Sequence, residues 1–216
     1  MPPRVIRDRF RSEPRTFSFE FFPPRTPEAV EGLFRTAERL RSLSPSFISV
    51  TYGAGGSTRR NTIDLTARFQ DELGLTAMAH LTCVGHSRGE LVEILAELRS
   101  RGVANLMLLR GDPPRGQTAF VPAPDGFSNA WQLVRLARST GDFCVGAAAY
   151  PEGHVECPDR ETDLEHLKLK ADSGAEFFVT QMFFDNRDYF AFVERAGRIG
   201  ICQRIIPGIM PALSWG

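Results

Sequence analysis

Short apolar runs alternate with amphipathic stretches along almost the whole chain. Seven runs read as strands: Thr16–Phe22, Phe47–Tyr52, Thr76–Cys83, Asn105–Arg110, Phe143–Tyr150, Phe177–Phe184 and Arg204–Ile209. Their starts lie about 27 to 38 residues apart, the length of a strand plus a crossover helix. Helical periodicity fills the intervals Ala29–Leu43, Thr58–Leu73, Gly89–Arg101, Asn129–Ser139, Glu161–Ser173 and Asp188–Arg198. In the first of these, Val30, Leu33, Phe34, Ala37 and Leu40 recur at helical spacing, with Arg35, Glu38 and Arg39 between them. Breakers fall after strands: Pro23-Pro24, Gly53–Gly56 and Gly111–Pro114.

Strict β-α alternation leaves an open doubly wound sheet or a (β/α)8 barrel. A doubly wound sheet usually carries G-x-G-x-x-G after its first strand. The nearest match here, Gly53-Ala54-Gly55-Gly56-Ser57-Thr58, follows the second strand and ends in threonine. Polar residues instead recur at strand C-terminal ends: Glu20, Thr51, His80, Arg110 with Asp112, Tyr150 and Gln181. In a barrel these ends converge on the rim that carries chemistry. The fold class expected is therefore α/β, a (β/α)8 TIM-type barrel. Only seven strands precede Gly216, so the expectation is a single barrel domain over 16–216, truncated after the seventh strand.

Composition narrows the class. The 216 residues are 42% hydrophobic and 24% charged, enough to bury a core. Lys+Arg and Asp+Glu both total 26, so no positive field collects nucleic acid or an anionic membrane. No apolar run approaches the roughly 18–20 residues of a membrane span. Cysteines 83, 144, 157 and 202 form neither a disulfide framework nor a C-x-x-C zinc pair. A soluble, cytoplasmic protein is expected, with self-association left open. Residues 1–15 hold five arginines together with Asp8 and Glu13, and no apolar leader core. They read as a solvated arm.

Phe17-Ser18-Phe19-Glu20-Phe21-Phe22 is the most informative stretch. Strand alternation sends Phe17, Phe19 and Phe21 beneath the helices and points Glu20 into the barrel near the rim. Partial desolvation there raises a carboxyl pKa toward general-acid use; the plainer alternative is a structural salt bridge. His80, a lone histidine on a strand, reads first as a hydrogen-bonded packing residue and only second as a catalyst or ligand. The histidines at 80, 86, 154 and 166 lack H-x-x-x-H pairing, so no metal is expected. Arg110-Gly111-Asp112 sets a cation and an anion around a glycine, fit either to grip a phosphate and a nitrogen-rich ring or to brace the loop as an ion pair. Asp163, His166 and Lys170 share one helix face after the polar loop Tyr150–His154, either a phosphate or ribose site or an exposed face of mixed charge. Gln181 both donates and accepts.

FSFEFFPP (17–24), SVTYG (49–53), HLTC (80–83), LRGDP (109–113), AAYPEGH (148–154), TQMFFD (180–185) and IPGIMP (206–211) occur in the order and near the spacing seen in methylenetetrahydrofolate reductases. The chain resembles that family over residues 17–211. The resemblance implies a barrel that carries FAD and reduces 5,10-methylenetetrahydrofolate to 5-methyltetrahydrofolate with NADH or NADPH, hydride passing through the flavin in a ping-pong relay. It assigns Glu20 as the acid, and Glu20, Asp112 and Gln181 as folate contacts. It places Thr51, Tyr52, Ala54, His80, Arg110, Gly111, Asp112, Tyr150, His154, Asp163, His166 and Lys170 along the FAD. Leu169 departs from an arginine present in some members. The family's barrel also continues past the I-P-G-I-x-P strand, and its eukaryotic members add a regulatory domain. The alternative expectation is a weakly active or non-catalytic remnant.

Overall fold

A computed structural model describes residues 4–24, 26–53, 59–113, 116–117 and 119–211. Helices alternate with strands: α1 (Ile6–Ser12), β1 (Ser18–Phe21), α2 (Pro27–Leu40), β2 (Phe47–Val50), α3 (Arg59–Asp71), β3 (Ala77–Thr82), α4 (Arg88–Ser100) and β4 (Asn105–Leu109). Then follow α5 (Ala130–Thr140), β5 (Cys144–Ala149), α6 (Arg160–Asp172), β6 (Phe177–Thr180), α7 (Asn186–Arg198) and β7 (Arg204–Ile206). The strands form one sheet in chain order, every neighbouring pair parallel. The sheet curls into a TIM-type barrel without an eighth strand among the described residues, so β1 and β7 are edges.

Local chemistry sets the helix starts. Thr26 accepts the backbone N–H of Ala29 and Pro27 fills the first turn, so α2 begins before the apolar period does. Ser87 and Glu90 form a reciprocal capping box on α4. Register separates two packing faces. Ala79, Leu81, Leu106, Leu108, Val145, Ala147 and Phe178 pack outward against Leu91, Ile94, Leu133 and Leu164 of the helices. Phe47, Met78, Met107, Cys144 and Phe177 fill the interior. Gly146 in β5 makes that filling fit, since a Cβ there would meet Phe177 Cζ at 2.5 Å. Phe19 and Phe21 pack with α2 as strand alternation requires, whereas Phe17 is exposed at the strand start.

The N-terminal segment departs from the solvated arm expected of it. Its residues 6–12 form α1, which plugs the N-terminal end of the barrel. Ile6 is fully buried in the interior cluster, and Phe10 packs edge-on against Phe177 with ring centroids 5.2 Å apart. Buried Asn105 at the start of β4 clamps the plug. Its Oδ1 accepts the Ile6 N–H at 2.8 Å, and its amide donates to Arg4 O and Ala77 O, both at 2.9 Å. Arg7 reaches Glu176 at 2.9 Å, and Arg204 donates to Phe10 O. Arg7, one of the arginines that made this stretch look solvated, therefore ties it to the barrel. No helix among the described residues is long and apolar enough to cross a membrane.

Candidate active site

Strand ends β4 to β6 and the loops that follow them build two adjoining clefts on the C-terminal rim. The larger, about 550 Å³, is lined by Asp112, Tyr150, His154 and Gln181 among others. The smaller, about 170 Å³, is lined by Arg110, Tyr150, His154, Asp163, His166 and Lys170, with Asn129, Trp131, Glu156 and Cys157. The larger volume falls in the usual range for a small-molecule site, about 300–1,000 Å³.

Helix α6 presents the charged wall. Asp159 caps it by accepting the Thr162 N–H at 2.8 Å. Leu164, Leu167 and Ala171 anchor its apolar side, holding Asp163 buried at its N-terminal end. Lys170 donates to Ala148 O at 2.8 Å and lies against the Tyr150 ring. Burial pushes the Lys170 ammonium down to about 8, opposed by Asp163 and reinforced by Arg110. Burial likewise raises Asp163 against the pull of Lys170 and His154. Tyr150 is pushed up to about 12 by burial, with Asp112 and Asp163 adding to it. His154 is lowered by burial and by Arg110, and its Nδ1 accepts the Glu156 N–H at 3.1 Å.

The loop-bracing Arg110–Asp112 pair that the sequence offered is not formed. Arg110 does make an ion pair, but with Glu156 rather than Asp112: two bonds of 2.7 Å join guanidinium and carboxylate. Asp112 is left exposed on the larger cleft. Gly111 between them has φ +89°, and a Cβ there would stand 2.6 Å from Val84 Cγ1, so only glycine fits this approach of loop to loop. Glu156 was not singled out from sequence, although it lies two residues beyond His154 in the same polar loop.

Glu20, Thr51, Tyr52 and His80 stand on the β1–β3 side and line neither cleft; Ala54 lies outside the described residues. Thr51 is buried and Tyr52 contacts His86 Nε2 at 3.0 Å. Glu20 points inward as alternation requires, but its side chain is 49% exposed beside the open edge. The expected upward pKa shift is corrected. Burial does push Glu20 up, yet His80 and the Ser49 hydroxyl favour the carboxylate more strongly and hold it below its ordinary value. Ser49 Oγ donates to Glu20 Oε2 at 3.3 Å and His80 Nε2 lies 3.4 Å from the same oxygen. That nitrogen is buried and, although at ion-pair distance, lacks an aligned hydrogen-bond partner; so does Thr82 Oγ1 on the same strand face. Thr82 was legible by alternation from His80 and was not singled out.

A parallel α/β barrel with a cleft at the C-terminal rim, walled by a lysine, two histidines and one buried carboxyl group, defines a TIM-type barrel protein with a small-molecule site. Family comparison makes this specific. Residues 5–216 match the family described as Methylenetetrahydrofolate reductase, and the chain belongs to that family. Methylenetetrahydrofolate reductase (NADH) 1 of Arabidopsis thaliana is 42% identical over 206 residues, covering 90% of this chain and 35% of its own length. The 5,10-methylenetetrahydrofolate reductase of Escherichia coli (strain K12) is 41% identical over 194 residues, covering 90% of this chain and 64% of its own. The chain thus spans about a third of its plant relatives and just under two thirds of its bacterial ones. Among solved structures, an uncharacterized protein from Clostridium thermocellum that binds two copies of 5-methyl-5,6,7,8-tetrahydrofolic acid shares the fold. Its TM-score is 0.64 at 14% identity, covering 94% of this chain and 69% of that one. Oxaloacetate acetylhydrolase also shares it, with TM-score 0.61 at 13% identity, covering 94% and 78%.

Proposed function

We propose that this chain is the barrel portion of a flavin-dependent reductase acting on 5,10-methylenetetrahydrofolate, with NADH or NADPH as donor. The observation that carries the reading is the family match across residues 5–216. When bound, FAD supplies the two-electron relay from nicotinamide to folate.

The residues fit such a cofactor on two counts. Two buried polar atoms at the barrel mouth, His80 Nε2 and Thr82 Oγ1, lack aligned hydrogen-bond partners. Lys170, His154 and His166 line a cleft suited to phosphate and ribose oxygens. Arg110, Tyr150 and Asp163 complete that cleft and Asp112 lines the larger one beside it.

Asp112 is an exposed acceptor for ring N–H groups of the folate, and the exposed Gln181 amide donates or accepts with either substrate in turn. Glu20 delivers the proton that opens the methylene bridge. His80 and Ser49 favour its carboxylate form. A substrate that covers the half-exposed side chain adds to the burial that opposes them, and the proton is taken up then.

The test is direct: the purified chain is incubated with FAD, freed of excess, denatured, and its supernatant assayed for the dinucleotide. Stoichiometric FAD is expected. A protein that refuses added FAD overturns the reading.

A further inference from the structure

Helix α7 buries one face and leaves a second, largely apolar one uncovered. On the buried side Phe192 and Ala196 join the core with Phe178, and the Tyr189 hydroxyl donates to Ile205 O at 2.9 Å. Turned away from these, Asn186, Phe190, Val193 and Gly197 recur at spacings of four, three and four, and all four are exposed. A surface helix ordinarily turns polar residues outward. A Cβ on Gly197 would meet nothing within 4 Å, so the helix backbone itself is open there. More apolar side chains stand at the same corner. Phe184 leads from β6 into α7, and the Gly208 N–H, donating to Thr180 Oγ1 at 2.9 Å, holds Ile209 and Met210 beside that strand end. Phe184, Phe190, Ile209 and Met210 are 87%, 68%, 84% and 63% exposed.

We propose that this face binds a second copy of the chain, with the two α7 helices packed antiparallel across a two-fold axis between Phe190 and Val193. Scaled by residue size, Phe184, Phe190, Val193, Ile209 and Met210 leave about 600 Å² uncovered, the top of the range for the largest apolar patch on a monomer. The same patch on a second copy brings the buried total to about 1,200 Å², where stable interfaces begin. Gly197 lets the helices approach at the short end of the usual spacing of about 8–10 Å.

A two-fold interface must be complementary to itself, and the charges beside the patch meet that condition. Asp185 pairs with Arg187 at the start of α7, and Glu194 pairs with Arg198 near its end, both at 2.5 Å. With a rise of about 1.5 Å per residue, the antiparallel arrangement sets Asp185 level with Arg198 of the second copy. Arg187 then lies within about 3 Å, along the axis, of the second copy's Glu194. None of these residues lines either cleft, so the interface does not depend on the reductase reading, and either can fail alone.

Sedimentation equilibrium of the full chain from about 1 to about 100 µM tests it, a range that spans the affinities of ordinary reversible dimers. Reductant is present throughout, so that the exposed Cys202 cannot link copies. Expected is a reversible shift toward twice the chain mass of 24.1 kDa as concentration rises. Phe190→Glu changes an exposed side chain and should weaken self-association by about 100-fold or more, with an unchanged far-ultraviolet circular dichroism spectrum. Val92→Glu on α4, exposed to a similar degree as Val193, should leave self-association unaltered. A chain that stays monomeric across the range, or that grows past two copies, overturns the proposal. So does a Phe190→Glu variant that still dimerises, or a Val92→Glu variant weakened as much as Phe190→Glu.

Discussion

Asn105 is the most consequential single contact beneath the site, because one side chain ties the α1 plug to the barrel floor. Asn105→Ala removes three hydrogen bonds, those from the Ile6 N–H and to Arg4 O and Ala77 O. At about 1 kcal/mol net each, their loss costs about 3 kcal/mol. The Ile6 N–H, in a fully buried residue, keeps no alternative partner, which brings the total to about 3–4 kcal/mol. For a domain of this size that corresponds to roughly 6–16 °C in Tm. Urea unfolding of parent and variant at one pH measures it, with the midpoint falling at constant m-value. Trypsin gives a second readout, since Arg7, Arg9 and Arg11 become cleavable once the plug loosens. A loss below about 1 kcal/mol with unchanged trypsin resistance would refute the clamp, since that is the range of ordinary surface substitutions.

The other expectations concern the rim. Gly111→Ala, forced to hold φ +89° with a Cβ 2.6 Å from Val84 Cγ1, should destabilise by about 1–3 kcal/mol and release bound FAD faster, measured by urea unfolding and by flavin retention on dialysis. Ser49→Ala removes one of the groups holding Glu20 ionised, so the Glu20 pKa rises and folate reduction persists to higher pH; a pH profile unmoved, or moved to lower pH, contradicts this. Lys170 titrates at about 8, below its unfolded value of about 10.4, so the unfolded chain binds more protons between those values. Stability carried by this group rises with pH across that window, and Lys170→Met should flatten the rise.

Period and turn chemistry carried most of the architecture. Outward-facing strand residues such as Ala79 and Leu81 alternate with His80, and the helices between strands bury one stripe each, so both periods were legible. Strand ends were read long because rim residues such as Arg110 and Tyr150 continue the apolar runs while leaving the ladder. Helix α1 was not legible: seven residues with four charged side chains have little helical signal of their own, and their hold comes from Asn105, about a hundred positions away. At the site, helix spacing brought Asp163, His166 and Lys170 to one cleft as expected. Glu20 shows the limit of the same reasoning. Alternation gave its direction, but the sign of its pKa shift depends on Ser49 and His80, which reach it only through strand register. The Arg110–Glu156 pair likewise joins two loops whose meeting no local pattern announces.

The central claim is that Glu20 serves the folate step and not the nicotinamide step. The full chain loaded with FAD is mixed anaerobically with NADH or NADPH, and then with 5,10-methylenetetrahydrofolate, following flavin absorbance and 5-methyltetrahydrofolate formed. The account predicts that Glu20→Gln keeps FAD and nicotinamide oxidation at parental levels while folate reduction falls by about 100-fold or more. Equal loss of both half-reactions, or an unimpaired folate step, contradicts it.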